Sequence, residues 1–248
     1  MEHSPVIAWV IVAVAAGITA LAILGVALPG GSHGDRAPAA ETAPGPPGVS
    51  DGIPLPPPVK GGSLSLEEAI AKRRSQRSFS ARPLALSDVS QLLWAAQGIT
   101  GERGFRSVPS AGALYPLEVL LVAGSVEGLR PGVYRYVPAT HSLRVEREVD
   151  IRQDLQSAAV NQPAVGQAPA TIAIAAVPSR TTAKYEERGT RYVHMEAGHA
   201  GQNVYLQAEA LGLGTVAIGA FSDERVAALL DLGEGEVPLY LMPVGHPP

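Results

Sequence analysis

The 248-residue chain contains no cysteine. Disulfides, thiol nucleophiles and thiolate-ligated metals are therefore excluded, although the compartment is not identified. Charge is also sparse, at 17% of residues with a formal net charge of -4. Nothing in that balance invites a nucleic acid, so local basic clusters are read as sites or as surface. There is no His-Glu-x-x-His string, and His194 and His199, five residues apart, point to different helical faces, so no metal site is expected. No internal repeat is present. What the chain does have is 46% hydrophobic content, enough for one sizeable core with an appendage.

The appendage is expected at the N-terminus. Val6 to Leu28 is an uncharged run of 23 residues closed by Pro29, Gly30 and Gly31, and about 18 apolar residues suffice for a membrane-spanning helix. A single-pass anchor over 1–28 is favoured over a cleaved signal, because no Lys or Arg precedes the run and Gly25-Val26-Ala27 is a poor cleavage site. Glu2 on one side and Asp35-Arg36 on the other do not settle orientation by charge; the extracytoplasmic side is favoured for the domain. Residues 29–62 are rich in Pro, Gly and Ala and include Pro56-Pro57-Pro58, which predicts a semi-rigid extended tether. The globular domain is expected over 63–248.

Within that domain Ser65 and Glu68 form a capping box, and the apolar spacing that follows predicts a helix running into the arginines. A second helix is expected from a Ser87 cap to Gly98. Glu118 to Ala123 and Ala170 to Val177 read as strands, Gly132 to Val137 with Ser142 to Val149 as a hairpin, and Val237 to Val244 as a last strand. Further helices are expected over about 151–160, from Arg191 to Leu211, and after Ser222. This alternation argues α+β or mixed α/β, with one sheet flanked by helices.

Four strings carry chemistry. Lys72 to Arg77 places Arg73, Arg74 and Arg77 within five residues beside Ser75; guanidinium offers fixed, always-charged donors that suit a phosphate and an electron-rich ring edge, although a basic run is also an ordinary solvated helix face. The others are Pro109 to Pro116, Lys184-Tyr185, and the run from Glu196 through Asn203 to Gly214. The glycines Gly212 and Gly214 follow a helix and precede a strand, the reverse of a dinucleotide fingerprint. Ser110 lacks the first glycine of a nucleophile elbow. Glu196, His199 and Asn203 share a helical face, and His199, Gln202 and Asn203 are expected in a buried polar network or a dimer contact.

In order and spacing these strings resemble the FMN-dependent nitroreductase family, and within it the SagB-type branch of azoline dehydrogenases. The resemblance covers roughly Ser63 to Gly245 through Arg73 to Phe79, Ser110 to Glu118, Lys184-Tyr185 with Arg188, Arg191 and Tyr192, Glu196 to Asn203, Leu211 to Thr215, Ile218 to Phe221, and Pro243 to Gly245. It implies the nitroreductase-like α+β fold with a central, mostly antiparallel sheet, preceded here by one transmembrane helix, and a homodimer with FMN at the subunit interface. By family position Arg73 and Ser75, with Arg74 beside them, resemble the holders of the FMN phosphate and ribityl chain, and Arg77 the cation at the N1 and O2 edge. Ser110, Ala111 and Gly112 resemble the loop at the isoalloxazine edge, and the backbone around Ile218 and Gly219 is implied near N5. Lys184 and Tyr185 resemble the acid/base machinery of the branch, acting on a small-molecule or peptide substrate; the plainer alternative is an exposed loop pair. Many family members carry basic residues after the terminal Pro-x-Gly, whereas this sequence reads Pro247-Pro248, so either Arg73, Arg74 and Arg191 carry more of the phosphate's charge or FMN binds less tightly. Two other readings stay open: a flavin- or ligand-binding module without turnover, and a serine hydrolase built on Ser110 and His199.

Overall fold

The computed structural model describes residues 52–248. The expected membrane span and most of the expected tether fall on residues outside that range. Among the described residues no helix is long and apolar enough to cross a membrane.

A seven-stranded sheet organises the chain. Its strands in sequence are β1 (Ile53–Pro54), β2 (Leu117–Ala123), β3 (Gly132–Val137), β4 (Ser142–Arg147), β5 (Ala170–Ala176), β6 (Gly214–Thr215) and β7 (Val237–Gly245), and their spatial order is β1-β4-β3-β2-β5-β7-β6 with every pairing antiparallel. β2 shows why the run is apolar throughout. Val119 and Leu121 face one hydrophobic cluster, and Leu120 and Val122 face a second; side chains alternate across a strand, and both faces are covered. Leu92, Leu93, Val193 and Val204 cover the first face, and Leu155, Val165, Val226 and Leu230 the second.

The helices are α1 (Leu66–Lys72), α2 (Leu86–Gln97), α3 (Arg152–Ala158), α4 (Pro163–Gln167), α5 (Ser179–Tyr185), α6 (Glu187–Ala210) and α7 (Asp223–Leu230). α1 begins at the expected capping box, with Ser65 Oγ accepting from the Glu68 amide and the Glu68 carboxylate accepting from the Ser65 amide. α2 differs from expectation. Its N-cap is Ala85, and Ser87 lies inside the first turn. The buried Leu84, held through backbone bonds to Ser125 and Glu127, fixes where the helix begins, and that tertiary anchor overrides the local cap preference.

α6 starts at Glu187, four residues before the expected Arg191, and α5 precedes it across a Glu186 with φ of 52°. Lys184 and Tyr185 therefore lie at the end of a helix. The sheet also begins before the expected boundary at Ser63: Ile53 pairs with Leu143, Leu55 is buried, and the Val59 amide donates to Gln91 Oε1 at 2.8 Å.

Candidate functional site

The arginine string leaves α1 at its C-cap, Arg73, and enters an extended path stitched to β6. The Gln76 amide donates to the Thr215 carbonyl at 2.9 Å, and Ser75 bridges Thr215 in parallel register. Tyr205, from the C-terminal half of α6, closes the cluster. Its hydroxyl shares a 2.9 Å hydrogen bond with Ser75 Oγ and accepts from the Ala217 amide at 2.8 Å, and its ring lies 5.1 Å below the Arg73 guanidinium. A cation over an aromatic face is held by the ring quadrupole, so Arg73 is oriented while its donors stay available.

Arg77 is exposed, with one contact to the Ser75 carbonyl at 3.5 Å. Arg74 does not join the cluster; it turns back to donate to the Ala71 and Arg73 carbonyls at 3.0 and 2.7 Å, capping the end of α1. Beyond β6, Ile218 is buried and exchanges two backbone hydrogen bonds with Leu241. Gly219 is exposed, and a Cβ placed there would meet nothing nearer than Tyr240, at 3.9 Å. This backbone is therefore open to a flat ligand.

Ser110, Ala111 and Gly112 come together with Lys184 and Tyr185. Gly112 has φ of 63°, and a Cβ there would lie 2.9 Å from Tyr185 Oη and 3.1 Å from Lys184 Nζ. Lys184 Nζ sits 5.4 Å from the centre of the Tyr185 ring, which packs edge-on against Tyr192 at 5.2 Å. The loop itself is strained: Ala113 and Tyr115 also have positive φ, 53° and 47°. Non-glycine residues hold that conformation only where their surroundings over-determine it, and such residues cluster at functional sites. Ser110 Oγ accepts from the Tyr115 amide at 2.9 Å.

Glu196 is 2% exposed. Burial pushes its carboxyl above the ordinary carboxylate range, against the opposing pull of hydrogen bonds from Ser110 and Gln97 and the charge of Arg106. His199 and Gln202, by contrast, are exposed in the single chain, and Asn203 alone of that trio is tied in, donating to the Ala95 and Ser107 carbonyls at 3.1 and 3.2 Å. The buried polar group of this helix is thus Glu196.

The two clusters lie at different heights on α6, Glu196 and Tyr205 being about 13 Å apart along the axis. Arg191 belongs to neither. It is exposed on the first turns of α6, in a recess of about 360 Å³ shared with Glu187 and Arg188, so within one chain it does not add its charge to that of Arg73. A larger groove of about 680 Å³ between α1, α2 and α6 is lined by residues such as Leu64, Trp94 and Leu206, and by none of the candidate site residues.

Sequence reasoning missed Tyr205, which holds Ser75, and Arg180, whose guanidinium donates to the Tyr115 carbonyl at 3.2 Å at the end of the Ser110 loop. Tyr205 acts on Ser75 from 130 positions away, and no local spacing encodes that contact.

A sequence model described as "Nitroreductase family" matches residues 70–246. A Methanocaldococcus jannaschii protein that carries the nitroreductase name is 48% identical over 183 residues, covering 74% of this chain and 91% of that protein. The microcin B17-processing protein McbC of Escherichia coli is 28% identical over 137 residues, 53% of this chain; the chain spans 50% of its length. Among solved structures, a Ralstonia eutropha protein named as a nitroreductase superposes with a TM-score of 0.70 at 28% identity, over 79% of this chain and 89% of that one.

Proposed function

The chain belongs to the nitroreductase family of flavin oxidoreductases, and from that premise we propose that it is a membrane-tethered, homodimeric FMN enzyme dehydrogenating azoline-type or related small or peptidic substrates. Val6 to Leu28 would supply the anchor, with the domain on the extracytoplasmic side.

The residues present fit FMN. Arg73, oriented over Tyr205, and Ser75 would hold the phosphate and ribityl chain, and exposed Arg77 would face the N1 and O2 edge. The uncrowded backbone at Ile218 and Gly219 would lie against the ring. Ser110, Ala111 and Gly112, in a different cluster, would approach it from the second subunit; the separation of the two clusters within one chain supports that reading.

When bound, FMN supplies the two-electron acceptor for a hydride. In the proposed dehydrogenation one ring carbon of the azoline loses a proton to Lys184 Nζ, the adjacent ring carbon loses the hydride, and a double bond forms between them. Tyr185, whose ring centre lies 5.4 Å from Lys184 Nζ and whose Oη also faces Gly112, would be the second acid/base group. Lysine works as a base when desolvated; Lys184 is exposed in the single chain, and the second subunit and the substrate would remove that water.

The observation that supports this reading is the close approach of Gly112 to both Lys184 Nζ and Tyr185 Oη, so that the pair proposed as acid and base lies beside the loop proposed for the flavin edge. The similarity to a microcin-processing protein favours a peptidic substrate. The test is the visible spectrum of the purified chain, followed by the mass of any chromophore released on denaturation. A yellow protein releasing FMN is expected; a folded, colourless protein that takes up no added FMN would refute the reading.

A further inference from the structure

Among the described residues, Arg180 is the one side chain that bonds the helix of Lys184 to the loop it faces. It lies on α5, one helical turn before Lys184, so that the two residues share a face. Its Nη1 forms a 2.7 Å ion pair with Glu118 Oε1 on β2 and donates to the Tyr115 carbonyl at 3.2 Å. Tyr115 closes the strained loop that begins at Ser110. One guanidinium thus ties the helix carrying Lys184 and Tyr185 both to the sheet and to the loop they face.

The anchor beneath it is firm. Glu118 also accepts from Arg135 Nη1 at 3.2 Å, and Arg135, 7% exposed, is held in turn by Glu146 at 3.0 Å and bidentately by Glu236 at 2.8 and 2.9 Å. Bidentate guanidinium–carboxylate pairs fix geometry as well as charge. A loop with positive φ at Gly112, Ala113 and Tyr115 needs outside restraint to stay in place, and Arg180 supplies it from the helix that the loop faces.

We propose that Arg180 is a positioning residue which, by bridging Glu118 and the Tyr115 carbonyl, sets Lys184 and Tyr185 at their working distance from the Ser110–Gly112 loop. This rests on the reading of Lys184 and Tyr185 as the acid/base pair. Lysine at 180 keeps a charge for Glu118 but carries it on a flexible stem without the guanidinium's rigid, fixed donor directions, so Arg180→Lys should fall between wild type and Arg180→Gln.

The experiment uses the full chain loaded with its flavin, a synthetic thiazoline peptide and a nitroaromatic acceptor as substrates, and amide hydrogen exchange. Arg180→Gln is expected to speed exchange at Ala113 and Tyr115 about tenfold while amides in α2 and β5 stay as they are, since local opening is independent of global stability. It is expected to lower kcat ten- to about a hundredfold, the scale of a small misplacement of reacting groups, at unchanged KM, flavin content and urea midpoint. In a Lys184→Ala, Tyr185→Phe background Arg180→Gln should have no further effect, because a residue acting through the pair is not additive with its loss. Unchanged loop exchange, or a kcat equal to wild type, overturns the proposal; so does a loss of turnover that follows loss of flavin or of the fold. If the Lys184→Ala, Tyr185→Phe protein is itself fully active, the acid/base reading fails instead, whatever Arg180→Gln does.

Discussion

Ser75 and Tyr205, 130 positions apart, share a hydrogen bond of 2.9 Å, and the same tyrosine hydroxyl accepts from the Ala217 amide. One phenol thus gathers the arginine string, the end of α6 and the segment after β6. Tyr205→Phe keeps the ring under Arg73 but removes both hydrogen bonds and leaves the Ala217 amide without its partner. The expected loss is about 1 to 3 kcal/mol of stability, with weaker flavin retention. Urea unfolding and flavin titration check it, and a variant that holds flavin as tightly as wild type would dissociate this cluster from the cofactor.

Gly112→Ala tests the other cluster. The added Cβ would meet Tyr185 Oη at 2.9 Å and Lys184 Nζ at 3.1 Å, both far ends of flexible side chains. They can give way, so the fold should survive. The left-handed conformation itself costs an alanine about 1 to 2 kcal/mol, visible as a lower urea midpoint. The displaced pair should lower turnover more than it lowers flavin content; equal losses of both would assign Gly112 to folding alone.

Glu196 gives a pH-dependent prediction. Its folded-state carboxyl titrates above the ordinary value of 4.5, chiefly through burial. The unfolded chain therefore ionises first as pH rises, and the contribution of Glu196 to stability is fully present below about 4.5 and lost as pH climbs through the raised value. Glu196→Gln removes that loss. Its amide oxygen can still accept from Gln97 Nε2, and its amide nitrogen offers a donor to Gln97 Oε1, a buried atom with no partner among the described residues. The variant should be more stable than wild type at neutral pH, with the advantage shrinking toward pH 4. Urea midpoints across that range check it, and parallel curves would contradict the assignment.

The parts of this architecture legible in the sequence are those written in local chemistry. Ser65 with Glu68 announces the start of α1, Gly98 ends α2, and Ser222 caps α7, because caps satisfy backbone groups three or four residues away. β2 and β5 are legible as unbroken apolar runs because both faces of the sheet are covered. The start of α2 was not, since it is set by Leu84 pairing with Ser125 and Glu127 across the fold. α5 escaped because its N-cap, Pro178, makes no side-chain hydrogen bond and its seven residues show no helical stripe. Of the candidate site residues, family order named Ser75, Gly112, Lys184 and Tyr185, which the fold does gather into two clusters. The residues that hold them, Tyr205 and Arg180, act through tertiary contacts that no spacing rule reaches.

Arg77→Ala should lower the midpoint potential of bound flavin, because reduction places negative charge on the ring edge that Arg77 is proposed to face. A hydrogen bond to a charged group contributes about 1.5 to 3 kcal/mol, and for a two-electron couple about 1.4 kcal/mol corresponds to 30 mV. Arg77 is exposed, and solvent screening brings the effect to the low end, a fall of a few tens of millivolts. Spectroelectrochemical titration reads it; an unchanged potential with flavin fully bound would place Arg77 away from the ring.

Lys184 and Tyr185 separate the proposed dehydrogenation from general flavin chemistry. Neither belongs to the cluster of Arg73, Ser75 and Tyr205, and their neighbour Gly112 contributes backbone rather than a side chain. Lys184→Ala with Tyr185→Phe should therefore leave flavin content and reduction of the flavin by dithionite intact. Acid/base groups typically contribute about 10²- to 10⁴-fold, so oxidation of a thiazoline peptide should fall by that factor, while reduction of a nitroaromatic, which needs no proton taken from a ring carbon, should fall far less. Bound flavin and both turnovers are measured on the same preparations. A double variant that oxidises the peptide at the wild-type rate would remove the acid/base role from the pair, and one that loses both activities together with its flavin would assign these residues to assembly of the site.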